Sequence, residues 1–126
     1  MKKLNYLLGF ILLSAIVAFP YLKKEFNGDN INISVKETVE EYKFSAEFNK
    51  NQSKKVQEYM DDFLNQHTFR NAEIDADMTL DDHTKFYVKT MPGEVKIKLN
   101  KEKNTVESYH KIKEMGEGIK RVLAGK

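Results

Sequence analysis

The densest group of side chains that could support chemistry is acidic and lies in the second half of the chain. It comprises Asp75, Asp77, Asp81, Asp82 and His83. Clusters of carboxylate oxygens can hold Ca²⁺ or Mg²⁺, so one hypothesis is a small metal-dependent enzyme. The spacing argues against a calcium loop of the EF-hand type, because Leu80 stands where that loop needs glycine and Phe86 where it needs glutamate.

A second explanation of these acidic residues requires no ligand. Glu73, Asp75 and Asp77 alternate along one predicted strand, and lysines alternate along the segments that follow. Those lysines are Lys85, Lys89, Lys96 and Lys98. Opposite charges on neighbouring strands can pair across a sheet, which accounts for both sets. We therefore predict no metal site and no cofactor.

The other candidates for catalysis are better explained as surface residues. Glu107, His110 and Glu114 share one side of a predicted helix with the Glu-x-x-His spacing of di-iron bundles, but those bundles need the motif twice. His67 ends an apolar stripe, where we expect it to interact with the last carbonyls of its helix. No activated nucleophile with a positioned base is recognisable. We predict no catalytic residue and a protein that is not an enzyme.

Tyr87 is the candidate for binding. Alternation places Phe86 and Val88 inward, so Tyr87 points to the solvated face among the four lysines. An exposed aromatic side chain in that setting suits a glycan, a peptide strand or an anionic surface. The edge of a sheet could also receive a strand from a partner.

The elements that must position these residues follow from the apolar periodicity. Apolar residues alternate over 31–35 and 42–48, which predicts a hairpin, and the period becomes helical from Asn51 or Ser53 to about Gln66. The side of that helix expected to face solvent carries Lys54, Lys55, Glu58, Asp61 and Asp62. Alternation returns over 74–80, where the residues expected inward are Ile74, Ala76, Met78 and Leu80, and again over 83–90 and 94–100. Met91, Pro92 and Gly93 predict a tight turn between the last two strands.

A second helix is predicted from the capping-box-like pair Asn104 and Glu107 to Gly125. Gly116 falls on its apolar stripe, where glycine costs about 1 kcal/mol relative to alanine. We expect that glycine to permit close packing of the helix on the sheet. The order of elements is ββαβββα, and the strands have one wet face. This predicts an α+β fold, a two-layer sandwich of about five mostly antiparallel strands with two helices on one face.

The segment from Leu4 to Leu22 contains no charged residue and is bracketed by lysine pairs at 2–3 and 23–24. About 20 apolar residues span a bilayer, so we predict a transmembrane anchor over residues 1–24. A cleaved signal peptide is the alternative, although such apolar regions are shorter and end at small residues. A short tail ahead of an apolar run is typical of an export signal, so the C-terminal domain is expected outside the cytoplasm. It would be tethered to the membrane if the segment is kept, and secreted or periplasmic if the segment is cleaved.

The rest of the chain divides into a linker over 25–30 and a small domain over 31–126. Residues 26–126 carry a net charge of −1, so the pI of 8.6 reflects the lysines beside the apolar segment. A nucleic-acid-binding domain would be basic, and we predict no such partner. The chain has no cysteine, which excludes disulfides and thiolate metal sites.

Together these observations favour a non-enzymatic, membrane-anchored interaction module. Its sheet surface or edge is expected to contact another envelope protein. The metal-dependent enzyme built on the acidic cluster remains the alternative, and the oligomeric state stays open.

Overall fold

The computed structural model describes residues 22–28, for which the backbone alone is considered, and residues 31–125. Six strands form one antiparallel sheet in the order β1-β2-β3-β6-β5-β4. The strands are β1 (Leu22–Gly28), β2 (Ile31–Glu37), β3 (Glu41–Glu47), β4 (Ile74–Thr79), β5 (Lys85–Met91) and β6 (Glu94–Asn100). The helices are α1 (Ser53–Leu64) and α2 (Val106–Leu123). The predicted α+β fold class is confirmed, and the order from β2 onward is the predicted ββαβββα.

The first strand was not predicted. β1 pairs with β2 from Leu22 opposite Lys36 to Gly28 opposite Ile31, so the sheet has six strands where the sequence indicated about five. This strand covers residues that the sequence assigned to the end of the anchor and to most of the linker over 25–30. The remainder of the predicted anchor, residues 1–21, lies outside the described residues, and its assignment stays a prediction.

One face of the sheet and both helices enclose the core. The buried side chains of the strands alternate along the sequence, and those of the helices recur at helical spacing. The largest fully buried residues are Tyr42, Phe44, Phe69, Ile33, Met60, Ile97, Leu99, Ile112, Met115, Ile119, Val56 and Val88. The opposite face of the sheet is left for solvent or a partner.

Gly116 permits the close packing that its position predicted. A Cβ at this residue would lie 2.3 Å from the hydroxyl oxygen of Tyr42 and 3.2 Å from the Phe44 ring. Both aromatic side chains project from β3 and are fully buried. The helix can approach the sheet here only because residue 116 has no side chain.

Two predictions of side-chain orientation were wrong. Asp61 was expected to face solvent but is fully buried in α1. Ala76 was expected to point inward but is exposed, with Ile74 and Met78 half-buried beside it. β4 is an edge strand, and α2 packs over β3 and β6 nearer the middle of the sheet, so the helices cover this edge incompletely.

The start of α2 also differs in detail from the sequence prediction. Thr105, one residue after the predicted cap, accepts a hydrogen bond from the Ser108 backbone N–H at 3.0 Å. The Asn104 side chain instead bonds both backbone groups of Lys85, its Oδ1 accepting at 2.8 Å and its Nδ2 donating at 3.0 Å. Asn104 thus continues the pairing of β5 where β6 has ended.

Candidate functional site

The exposed side of the sheet carries lysines on adjacent strands at matching positions. We call it the lysine face, defined by Lys36, Lys43, Lys89, Lys96 and Lys98. In the strand register Lys36 lies opposite Lys43, Lys43 opposite Lys98, and Lys89 opposite Lys96. The first row crosses β2, β3 and β6 and reaches Tyr87 on β5, since Tyr87 lies opposite Lys98.

Like charges directly opposite each other destabilise an antiparallel pair. Glu94 partly compensates, with its carboxylate 3.8 Å from the Lys89 Nζ and 3.7 Å from the Lys96 Nζ. Glu41 lies 3.5 Å from the Lys43 Nζ. These are long contacts between partly exposed groups, and such pairs contribute little in water. The face therefore keeps positive charge in its centre, with carboxylates at its border.

The predicted pairing of the β4 carboxylates with lysines is not formed, since no ion pair of the described residues joins Glu73, Asp75 or Asp77 to a lysine. Asp75 lies opposite Lys89 in the register, but its Oδ1 accepts a 2.5 Å hydrogen bond from the Tyr87 hydroxyl. That hydrogen bond is the main reason why the pKa of Tyr87 is raised. The Lys98 Nζ lies 4.9 Å from the centre of the Tyr87 ring, within range of a cation–π contact. Tyr87 is thus on the predicted face and is held between β4 and β6.

A shallow depression of about 330 Å³ lies beside Tyr87. Its lining includes Asp77, Lys85, Tyr87, Lys98 and Asn100. It combines the Tyr87 ring with ammonium, amide and carboxylate groups, and its lining also includes Met78, Phe86 and Leu99. That mixed composition suits a segment of chain that carries both apolar and charged side chains.

The acidic cluster does not converge. Asp82 pairs with Lys111 at 2.9 Å, and this hydrogen bond, followed by those from Thr84, lowers the pKa of Asp82 to about 2. His83 is exposed in a turn with a left-handed backbone (φ 72°). Within residues 31–125 no three His, Asp or Glu side chains come close enough together to hold a metal ion.

The other histidines lie on the surface. His110 and Glu114 are exposed on α2, where the His110 ring packs 4.9 Å from that of Tyr109. His67 is exposed, and the last carbonyls of α1 accept from backbone N–H groups instead, Asp61 from Gln66 at 2.8 Å and Asp62 from Asn65 at 3.3 Å. Asn65 adopts the left-handed conformation (φ 56°) that commonly ends a helix.

A polar cluster that sequence reasoning missed joins α2 to the turn between β2 and β3. The Tyr109 hydroxyl donates to Glu37, and the Lys101 Nζ donates to the same carboxylate at 2.9 Å and to the Thr38 carbonyl at 2.7 Å. Lys113 lies 3.2 Å from the other carboxylate oxygen of Glu37. Burial opposes ionisation of Glu37, but the bonds from Tyr109 and Lys101 outweigh it and leave its pKa lowered. These groups satisfy one another, which indicates a structural role.

The sequence also showed no sign that Asp61 binds the backbone of the segment after α1. Its carboxylate accepts hydrogen bonds from the backbone N–H of Phe69 at 2.8 Å and of Arg70 at 3.0 Å. The Arg70 Nε lies 3.5 Å away. These contacts fold the segment after α1 back on the helix and seat Phe69 in the core.

Comparison with protein-family models, with curated proteins and with solved structures finds no match for this chain. Among the described residues, no helix has both the length and the apolar character needed to cross a bilayer.

Proposed function

We propose that this chain is a membrane-tethered, non-enzymatic binding module that uses its lysine face to hold an acidic segment of another envelope protein. The tether is the part of the apolar segment that precedes β1, residues 4–21, and the domain stands on the extracytoplasmic side. The observation that carries the proposal is the direct opposition of Lys36, Lys43 and Lys98 across three neighbouring strands. Repulsion in that row costs stability, which an anionic partner would recover.

The size and border of the lysine face favour a short acidic segment of protein. Neighbouring strands lie about 4.8 Å apart, so the row from Lys36 to Lys98 covers only about 10 Å. Glu41, Glu94 and Asp75 stand at the edges of the face, where they would repel a long polyanion that extended beyond the lysines. The domain as a whole is also slightly acidic, unlike a domain that binds nucleic acid.

Tyr87 supplies the apolar contact of the proposed site. The bond to Asp75 and the contact with Lys98 fix its ring at one end of the lysine row. A ring held in this way loses little conformational freedom on binding, which favours its use as an anchor. A partner segment with one apolar residue beside two or three carboxylates would match this arrangement.

Photocrosslinking in intact envelopes tests the proposal. A photoreactive amino acid at Ser45, which lies opposite Lys96 on the lysine face, should form an adduct with one membrane-associated protein. The pair of substitutions Lys43→Glu and Lys98→Glu should reduce that adduct at least tenfold. The matched pair Lys54→Glu and Lys55→Glu, on the exposed side of α1, should leave it unchanged.

Either of two results would count against the proposed site. Equal adduct yields from both charge-reversed pairs would show that the contact does not depend on the lysine face. If the photoreactive amino acid gives the same adduct yield at position 55 as at position 45, the partner does not bind at the lysine face. Membrane attachment is read separately, from resistance of the full chain to alkaline extraction.

A further inference from the structure

We propose that the domain is held in one orientation, with the end of the sheet at which β1 begins resting on the lipid headgroups. This rests on the tether in the proposed function. We call this end the proximal end and define it by three connections: 38–40 between β2 and β3, 80–84 between β4 and β5, and 101–105 between β6 and α2. The occupant of this surface is the bilayer from which the chain emerges.

The position of β1 carries the argument. The apolar segment runs to Leu22, and Leu22 is already paired with Lys36 in the sheet. A flexible linker over 25–30 would have an average end-to-end distance of about 13 Å, so it would have let the domain lie in any direction from the end of the apolar segment. The backbone over 25–28 is instead in β1, so the chain passes from the end of the apolar segment directly into the edge of the sheet.

The length of the apolar segment agrees with this short connection. Residues 4–21, the part that precedes β1, would form a helix of about 27 Å, close to the thickness of a hydrocarbon core. Lys23 and Lys24 then lie in β1 at headgroup level, the depth at which lysine commonly flanks a spanning helix. The start of β1 can therefore lie no more than a residue or two from the bilayer surface.

The exposed apolar side chains are at the same end. Among residues 31–125, the large hydrophobic residues that remain exposed are Val39, at 91%, and Val106, at 67%. Val39 is at the tip of the β2–β3 turn, and Val106 begins α2 after the connection that follows β6. The Lys101 backbone N–H donates to the Glu40 carbonyl at 2.8 Å and joins these two parts of the proximal end.

A tethered domain needs only weak contacts to keep such an orientation. Because the anchor already holds the domain at the surface, docking is intramolecular and its effective concentration is high. The proximal connections carry two lysines, Lys101 and Lys103, and four carboxylates, Glu40, Asp81, Asp82 and Glu102, so the contact does not rely on attraction to anionic lipid. The lysine face would then stand on edge beside the bilayer and meet acidic segments close to the membrane.

Single cysteines give a direct test, because the chain has none of its own. Val39→Cys carries a fluorescent label at the proximal end. Asn51→Cys carries the label at the other end of the sheet, in the exposed short helix Lys50–Gln52 that precedes α1. The labelled full chain is reconstituted in phosphatidylcholine vesicles that contain headgroup spin-labelled lipid. Quenching at position 39 should be at least three times that at position 51.

A second variant guards against insertion driven by the label. With the label at Val106→Cys, adding Val39→Asp should reduce quenching at least twofold if the two positions share one contact with the bilayer. Equal quenching at 39 and 51 in chains that float with the vesicles would overturn the orientation and leave the tether intact. Failure of the full chain to float after an alkaline wash would overturn the tether, and the orientation with it.

Discussion

The hydroxyl of Tyr109, near the start of α2, donates a hydrogen bond to Glu37, the last residue of β2, across 72 residues of sequence. The Lys101 Nζ lies 4.5 Å from the Tyr109 ring and 2.9 Å from the same carboxylate. Burial and the bond to Glu37 raise the pKa of Tyr109, so the phenol keeps its proton as the donor. This contact fixes the helix to one end of the sheet.

Replacing Tyr109 with phenylalanine should lower the free energy of unfolding by about 1 kcal/mol. A hydrogen bond to a charged group is worth about 1.5–3 kcal/mol when buried, and partial exposure reduces that value here. Urea unfolding of the full chain in detergent, followed by circular dichroism, measures the change. Tyr87→Phe is the matched control, because its bond to Asp75 is on the exposed face and its loss should cost less than half as much. If both variants lose the same free energy of unfolding, the Tyr109 hydrogen bond does not have the structural role assigned to it.

Glu37 should make stability depend on pH in acid. Its folded-state pKa is lowered from the usual 4.5, so its contribution is present above about pH 4.5 and is lost as the pH falls through the folded value. Glu37→Gln should therefore be less stable than the original chain at pH 7, and the difference should shrink steadily below pH 4.5. Unfolding curves measured at several pH values test this. A difference that stays constant down to pH 3 would contradict it.

Asp61→Asn should cost about 2–4 kcal/mol, because an amide presents a donor where the carboxylate accepts from two backbone N–H groups. Asp62→Asn is the matched control. Its carboxylate is mostly exposed and pairs only with the Arg70 side chain, so the loss should stay within about 0.5 kcal/mol. Proteolysis should also reveal the difference, since loss of the Asp61 contacts frees the segment around Phe69. Similar stability of the two variants would show that Asp61 does not organise this segment.

Gly116→Ala should destabilise the domain by about 1–3 kcal/mol, although alanine favours a helix by about 1 kcal/mol. The added methyl would meet the Tyr42 hydroxyl oxygen in the core. Adding Tyr42→Phe should recover part of the loss in Gly116→Ala. No recovery would mean that the Tyr42 hydroxyl is not what limits the space at residue 116.

The sequence was sufficient for elements whose burial is periodic. β2, β3, β5 and β6 each have one dry and one wet face, and α1 and α2 each have one apolar stripe, so their periods of two and 3.6 could be read directly. β1 carries no such pattern: LKKEFNG has adjacent lysines and follows a long uncharged, mostly apolar segment. Its strand structure comes from pairing with the backbone of β2, which no local pattern encodes.

For the candidate site, the sequence could predict on which face of the sheet a side chain lies, but not which side chains are its neighbours. Alternation placed Tyr87 among lysines, but the opposition of Lys43 to both Lys36 and Lys98 depends on the strand order and the register. Asp61 was misplaced because a helical carboxylate next to another usually faces water. Its burial depends on backbone donors in a loop eight and nine residues away. Such contacts are set by tertiary structure.

Lys43→Gln should stabilise the domain, because Lys43 faces a lysine on each side. Relief of like-charge repulsion between neighbouring strands is worth about 0.2–1 kcal/mol and outweighs the loss of the long contact with Glu41. The gain should appear in urea unfolding at low ionic strength and should mostly disappear at 1 M salt, where the screening length falls to about 3 Å. Lys103→Gln, an exposed lysine outside the sheet, should change little at either ionic strength. If Lys43→Gln lowers stability instead, the lysine row contributes to the fold, and the main support for the proposed binding face is lost.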